Sequence, residues 1–128
     1  MSNGIKVMVV EDDPMNLKLM KMLLSKNNFV IYTCHDAENA LEVLSTVTPD
    51  IILMDLGLPG MNGLELTEKL KRSPLPTLRN IKIIALTAYA RDIDKERAMQ
   101  AGCDGFISKP IYIHQVIADI YRLIRARS

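Results

Sequence analysis

Acidic residues follow two short apolar runs in this 128-residue chain: Glu11-Asp12-Asp13 after Val7-Met8-Val9-Val10, and Asp55 after Ile51-Ile52-Leu53-Met54. Two further runs are followed by a hydroxyl and an ammonium, Thr87-Ala88 after Ile83-Ile84-Ala85-Leu86 and Lys109-Pro110 after Gly105-Phe106-Ile107-Ser108. Carboxylates gathered without a compensating base nearby in sequence repel one another, and a hard divalent cation such as Mg²⁺, with Mn²⁺ as a substitute, relieves that repulsion through oxygen coordination. Asp55 is then of the nucleophile class in which a carboxylate takes up a phosphoryl group, with the metal, Thr87 and Lys109 neutralising charge on the transferred oxygens.

Each of these residues alone has a plainer role. Asp13 is read as a solvated cap on the following helix, Asp55 alone could end a strand as a turn residue, and Thr87 could cap a helix. Lys109-Pro110 alone is weak, because exposed lysines are abundant and proline commonly follows strands. Their coincidence at successive strand ends is what favours chemistry. Cys34 and Cys103 lack a CxxC pair or a neighbouring histidine cluster, and are expected to be packing residues without a redox role. His35 and His114 lack ligand-like partners. The 8 methionines are scattered, as core filling would have them.

The runs at 7–10, 51–54 and 83–86 are continuous, as in parallel strands buried on both faces, whereas 30–34 and 105–108 are more polar and suit edge strands. Between them lie helical periods. Met15, Leu19, Met22 and Leu23 fall on one side of a first helix capped by Asp13 with Pro14 in its first turn. Ala37, Ala40, Leu41, Leu44 and Val47 follow Asp36. Asn62 and Glu65 form a capping box for a third helix carrying Leu66 and Leu70, ended by Pro74 and Pro76. The stretch 73–77 reads as a loop. A polar helix over about 91–101 closes at Gly102 and should be loosely held. Ile113, Val116, Ile117, Ile120, Leu123 and Ile124 make the last helix strongly amphipathic, with Arg122, Arg125 and Arg127 toward the negative end of its dipole. Five βα units in succession predict a parallel sheet with helices on both faces and right-handed crossovers, an arrangement that puts ligands at the carboxyl ends of the strands.

Composition bounds what such a domain does. The length is that of one domain, 1–128, and 48% hydrophobic residues against 24% charged is enough for a core. Lys and Arg number 16 against 15 Asp and Glu, so the net charge of +1 gives no electrostatic case for direct nucleic-acid binding or an anionic membrane. The N-terminus lacks a basic n-region, and no stretch approaches the ~18 apolar residues of a membrane span, so a cytoplasmic location is expected.

Glu11-Asp12 after Val9-Val10, Asp55 with Leu58-Pro59-Gly60-Met61-Asn62-Gly63 behind it, Thr87-Ala88 and Lys109-Pro110 together resemble the receiver domain of two-component response regulators. The resemblance covers essentially the whole chain, which is similar in length and layout to the stand-alone DivK-like regulators. It implies a flavodoxin-like receiver fold, with a doubly wound five-stranded parallel sheet in the order 2-1-3-4-5 and five helices. It also implies that Asp55 is the phosphoacceptor, that Asp12, Asp55 and the Gly57 backbone carbonyl coordinate Mg²⁺, and that Glu11 assists through water. Thr87 and Lys109 would contact the phosphoryl group, Phe106 would be a switch residue reporting on Thr87, and a cis bond before Pro110 would aim Lys109 into the site. Gly57 and Tyr89 flank the site as lifetime modulators: Gly57 offers no side chain to orient an attacking water, and the Tyr89 ring could shield the phosphoryl group.

The implied function is a phosphorylation-activated signalling switch, not an enzyme in the ordinary sense but a domain that assists its own phosphorylation and dephosphorylation. The donor is a sensor histidine kinase or histidine phosphotransfer protein. The output is a contact with a downstream protein through the face of the 91–101 helix, the fifth strand and the last helix, from a monomer or weak dimer. No effector domain follows Ser128, so the receiver itself makes the contact unless the chain is excised from a hybrid kinase or larger regulator. An Mg²⁺-dependent phosphohydrolase would resemble a D-x-D arrangement, whereas Asp55 is followed by Leu56-Gly57. A flavodoxin-like electron carrier would find its phosphate repelled by the acids after strand one. A pseudo-receiver that scaffolds partners without phosphorylation is disfavoured by the intact residue set.

Overall fold

The computed structural model describes residues 4–57, 62–88 and 91–126. The Leu58-Pro59-Gly60-Met61 motif, Tyr89, Arg127 and the first three residues lie outside the described residues. The five strands form at the apolar runs: β1 (Lys6–Val10), β2 (Val30–Cys34), β3 (Ile51–Asp55), β4 (Lys82–Thr87) and β5 (Gly105–Ser108). All pairings are parallel, in the order β2-β1-β3-β4-β5, so the two more polar runs are the edges. The helices are α1 (Pro14–Ser25), α2 (Ala37–Leu44), α3 (Gly63–Lys71), α4 (Pro76–Arg79), α5 (Asp92–Ala101) and α6 (Ile113–Ala126).

Strand side chains alternate between two core layers. Val7, Val9, Leu53, Leu86 and Ile107 meet Met20 and Leu24 of α1 and Val116, Ile120 and Leu123 of α6. Met8, Val10, Met54, Ile83 and Ala85 meet Ala37, Ala40 and Leu44 of α2, Leu66 and Leu70 of α3 and Ala98 of α5. The sheet is thus doubly wound, with α1 and α6 on one face and α2, α3 and α5 on the other.

The caps are those expected. The Asp13 side chain accepts from the Met15 N–H at 3.0 Å, and Pro14 opens α1. Asn62 accepts from the Glu65 N–H at 2.9 Å while Glu65 reaches back to the Asn62 N–H at 3.4 Å, completing the capping box. Gly102 ends α5 at φ 111°, a conformation that favours glycine, and a β-carbon there would also meet Lys71 Cγ at 2.7 Å.

Three local expectations change. The 73–77 stretch is not wholly loop: Pro76 opens the short α4, making six helices among the described residues, because a proline that ends one helix is equally suited to the first position of the next. Val47 lies beyond α2, which stops where the Ser45 and Thr46 hydroxyls turn back to the carbonyls of Glu42 and Val43 at 2.6 and 3.2 Å. In α1 the buried residues are Met20 and Leu24, with Leu17 packed beside them, while Met15, Leu19 and Met22 are 75, 49 and 52% exposed. The helix carries two apolar stripes, and the sheet takes the 17-20-24 stripe rather than the 15-19-22 stripe.

Candidate functional site

Backbone pairing carries the four chemically suggestive strand ends into one place. Past β1, the Glu11 N–H donates to the Cys34 carbonyl at 3.0 Å, which extends the ladder by one residue and holds the Glu11 side chain inward and buried. Asp55 is the last residue of β3, level with Leu86 on β4, and is also buried. Thr87 ends β4 opposite Ser108, and the Lys109 N–H donates to the Thr87 carbonyl at 2.7 Å. The Lys109–Pro110 bond is cis.

Side-chain geometry then joins them. Lys109 Nζ lies 3.2 Å from Glu11 Oε1 and 3.2 Å from Asp55 Oδ2, bridging two buried carboxylates. The Gly57 N–H donates to Asp55 Oδ1 at 2.9 Å, and the Asp13 N–H to Glu11 Oε2 at 3.3 Å. Asp12 is exposed beside them, and carboxylate oxygens of Glu11, Asp12 and Asp55 all lie within 4.8 Å of one another. Close approach of α3 to the end of β3 depends on Gly63, where a β-carbon would sit 2.7 Å from the Asp55 carbonyl oxygen and 3.0 Å from Leu56 Cα.

The charges are unevenly shared. Burial, reinforced by a hydrogen bond to Asp55 and by its charge, pushes the Glu11 carboxyl up to about 7. Burial also opposes ionisation of Asp55, but hydrogen bonds from Glu11 and the Gly57 N–H, with the Lys109 charge, outweigh it and hold Asp55 below its ordinary range. For Lys109 burial disfavours the charge, and the Asp55 and Glu11 carboxylates more than restore it. Three carboxylates against one ammonium form a donor set of hard oxygens short of positive charge, which fits a divalent cation such as Mg²⁺.

Asp55, Gly57, Thr87 and Lys109 line a cavity of about 400 Å³ open at the strand ends. Phe106 is half-buried on β5 opposite Ala85, packed against the layer under α3 and α5. The Gly57 contact to Asp55 is through its N–H. Tyr89 lies outside the described residues. Cys34 and Cys103 are buried, their thiols pushed up to about 11 chiefly by burial. His35 is exposed and pairs with Asp36 at 3.1 Å. Sequence reasoning did not single out Leu64, Asp94 and Arg97, which form the far wall of the cavity. Their only signal is spacing on helices whose charged faces read as solvated.

The sequence profile of the response regulator receiver domain matches residues 7–121. The polar-differentiation response regulator DivK of Brucella anthropi is 40% identical over 114 residues, 89% of this chain and 91% of DivK. Among solved structures, the receiver domain of a signal transduction histidine kinase from Syntrophus aciditrophicus superposes with a TM-score of 0.86 at 29% identity, over 96% of this chain and 92% of that one. The receiver domain of the sensor histidine kinase PA1611 from Pseudomonas aeruginosa, described with a magnesium ion coordinated in its active-site cleft, gives 0.85 at 29% identity, over 94% and 98%.

Proposed function

The chain belongs to the response regulator receiver domain family, and from that premise we propose that Asp55 accepts a phosphoryl group from a sensor histidine kinase or histidine phosphotransfer protein. The reading takes 1–128 as one receiver unit, a signalling domain acting in the cytoplasm as a monomer or weak dimer. The observation that carries it is Lys109 spanning Asp55 and Glu11 at 3.2 Å each, beside a third carboxylate, at adjacent strand ends.

Asp55 is ionised at neutral pH and needs no base. Its oxygen forms a bond to phosphorus as the phosphorus–nitrogen bond of the donor phosphohistidine breaks, and the electron pair leaves on the imidazole nitrogen, which the donor's environment protonates. Asp12, Asp55 and the Gly57 carbonyl would hold Mg²⁺, with Glu11 acting through water. When bound, the cation neutralises charge on the transferred oxygens. Lys109 and Thr87 contact the product phosphoryl group, and Phe106 responds to Thr87.

A groove of about 280 Å³ beside the site supports delivery by a protein donor. It is lined by Glu11 and Lys109 with Leu19, Leu23, Ile111 and Ile113, and α1, which supplies Leu19 and Leu23, also exposes Met15 and Met22. That apolar floor suits a donor that must hold a phosphohistidine over Asp55. For output, the α5–β5–α6 face is the candidate, since α5 buries only Ala98 and can shift at low cost.

The test is intact-protein mass spectrometry after incubation with Mg²⁺ and acetyl phosphate. Wild type gains one phosphoryl group and Asp55→Asn gains none, while both keep the same circular dichroism spectrum. An Asp55→Asn protein labelled as fully as wild type defeats the assignment.

A further inference from the structure

The cavity at the acidic site is larger than a phosphoryl group needs, and an arginine lines it on the α5 side. From Asp55, Thr87 and Lys109 it passes Leu64 of α3 to Asp94 and Arg97 of α5. Arg97 also lines a second depression of about 250 Å³ between α3 and α5, with Glu68, Gln100 and Ala101. Its exposed side chain therefore stands on the divide between the groove and the site.

Nothing among the described residues fixes it there. Its electrostatic neighbour is Asp94, which is already engaged: Asp94 Oδ2 accepts from Arg91 Nε at 2.9 Å and from the Arg91 N–H at 3.2 Å, and Oδ1 accepts from Arg91 Nη2 at 3.3 Å. Glu68, the acid on the groove side, pairs with Arg72 at 3.5 Å. Both acids near Arg97 thus have another arginine.

Charge accounting at the phosphorylated site, which rests on the phosphoacceptor reading above, asks for one more cation. A phosphoryl group carries about −1.5 to −2 at neutral pH. Glu11 and Asp12 remain, against Lys109 and one divalent ion. With Glu11 ionised beside the bound cation, about half to one negative charge is left over. An arginine is the side chain whose forked donors match phosphoryl oxygens.

We propose that Arg97 is the second cationic side chain of the phosphorylated site: its guanidinium leaves the α3–α5 groove, pairs with the phosphoryl group on Asp55, and draws α5 toward the strand ends. Among the helices of eight residues or more α5 has least to lose, since Ala98 is its one buried residue and the helix is rich in exposed charge. Phosphorylation is thereby transmitted to α5 by an ion pair in addition to whatever passes through Thr87.

The test compares full-length wild type, Arg97→Gln and Arg97→Lys, each with Mg²⁺ and acetyl phosphate, reading phosphoryl content by intact mass and amide hydrogen exchange across 92–101. Arg97 is exposed, so the variants should melt like wild type. Exchange is compared at matched phosphoryl content of the three proteins, and the expected result is that exchange in α5 slows about threefold or more on phosphorylation of wild type. That slowing is lost in Arg97→Gln and regained at least in part in Arg97→Lys. Arg97→Gln that is labelled and still slows like wild type overturns the ion pair, as does a labelled wild type whose α5 does not respond. A wild type that takes up no label overturns the phosphoacceptor reading itself, and this inference with it.

Discussion

Asp55 and Glu11 are the same kind of acid a few ångströms apart, and their surroundings separate them. The Gly57 N–H and Lys109 favour ionised Asp55, whereas burial beside that charge leaves Glu11 near 7. A nucleophile that is ionised and a neighbour that is half-protonated follow from that asymmetry. Position 57 bears on what happens after transfer. Gly57 is exposed, and a β-carbon there would lie 3.5 Å from Asp55 Oδ1, an ordinary contact, so a longer side chain at 57 can stand over the acceptor without strain. Gly57→Asn combined with Tyr89→Glu supplies a polar group for the attacking water and removes a bulky ring. The phosphoryl lifetime should shorten about tenfold, equal to about 1.4 kcal/mol of barrier. The check is the decay of labelled protein after donor removal, and a double variant decaying no faster than wild type rejects the lifetime assignment.

Among the elements, α1 presents the stripe that the core does not use. Leu19 lines the groove that leads to Lys109, and Met15, Leu19 and Met22 are all exposed. Leu19→Glu with Met22→Glu should slow transfer from a histidine-phosphorylated protein donor about tenfold, a loss of about 1.4 kcal/mol at the contact, and leave labelling by acetyl phosphate unchanged. Equal slowing with both donors would place these residues in the chemistry instead of the contact. The strands, both glycine and asparagine helix ends and the four site-bearing strand ends were legible in the sequence, because continuous apolar runs and caps are local signals. Which stripe of α1 packs was not, since seven of its residues are apolar and only the sheet decides between the two faces. Arg97 was equally hidden: on a helix with charges at 91, 92, 94, 95, 96 and 97 no spacing distinguishes the one that borders a cavity.

At the scale of the whole molecule, two core layers hold a site that the fold alone cannot make comfortable. Folding raises the Glu11 carboxyl from an ordinary 4.5 to about 7, so the folded state binds that proton more tightly than the unfolded chain does. The resulting stability is complete below about 4.5 and disappears as pH rises through about 7. Asp55 is shifted the other way, and its contribution is lost only on acidification through its lowered value. Metal-free protein should therefore melt at a lower temperature at about pH 8 than at about pH 6, and Glu11→Gln should remove most of that difference. Mg²⁺ at about 100 times its Kd should restore about 2.7 kcal/mol at the higher pH. Thermal melts of wild type and Glu11→Gln with and without Mg²⁺ decide this. A pH difference that survives Glu11→Gln unchanged would remove Glu11 as its source.

The central claim is that the phosphoryl group forms an acyl phosphate on Asp55. Borohydride reduces an acyl phosphate to an alcohol, turning the acceptor aspartate into homoserine wherever it sits. After incubation with Mg²⁺ and acetyl phosphate, reduction and peptide mapping should find homoserine at position 55 in wild type and none in Asp55→Asn. Homoserine at Asp12 or another acid, or a phosphorylated protein in which Asp55 survives reduction unchanged, would contradict it.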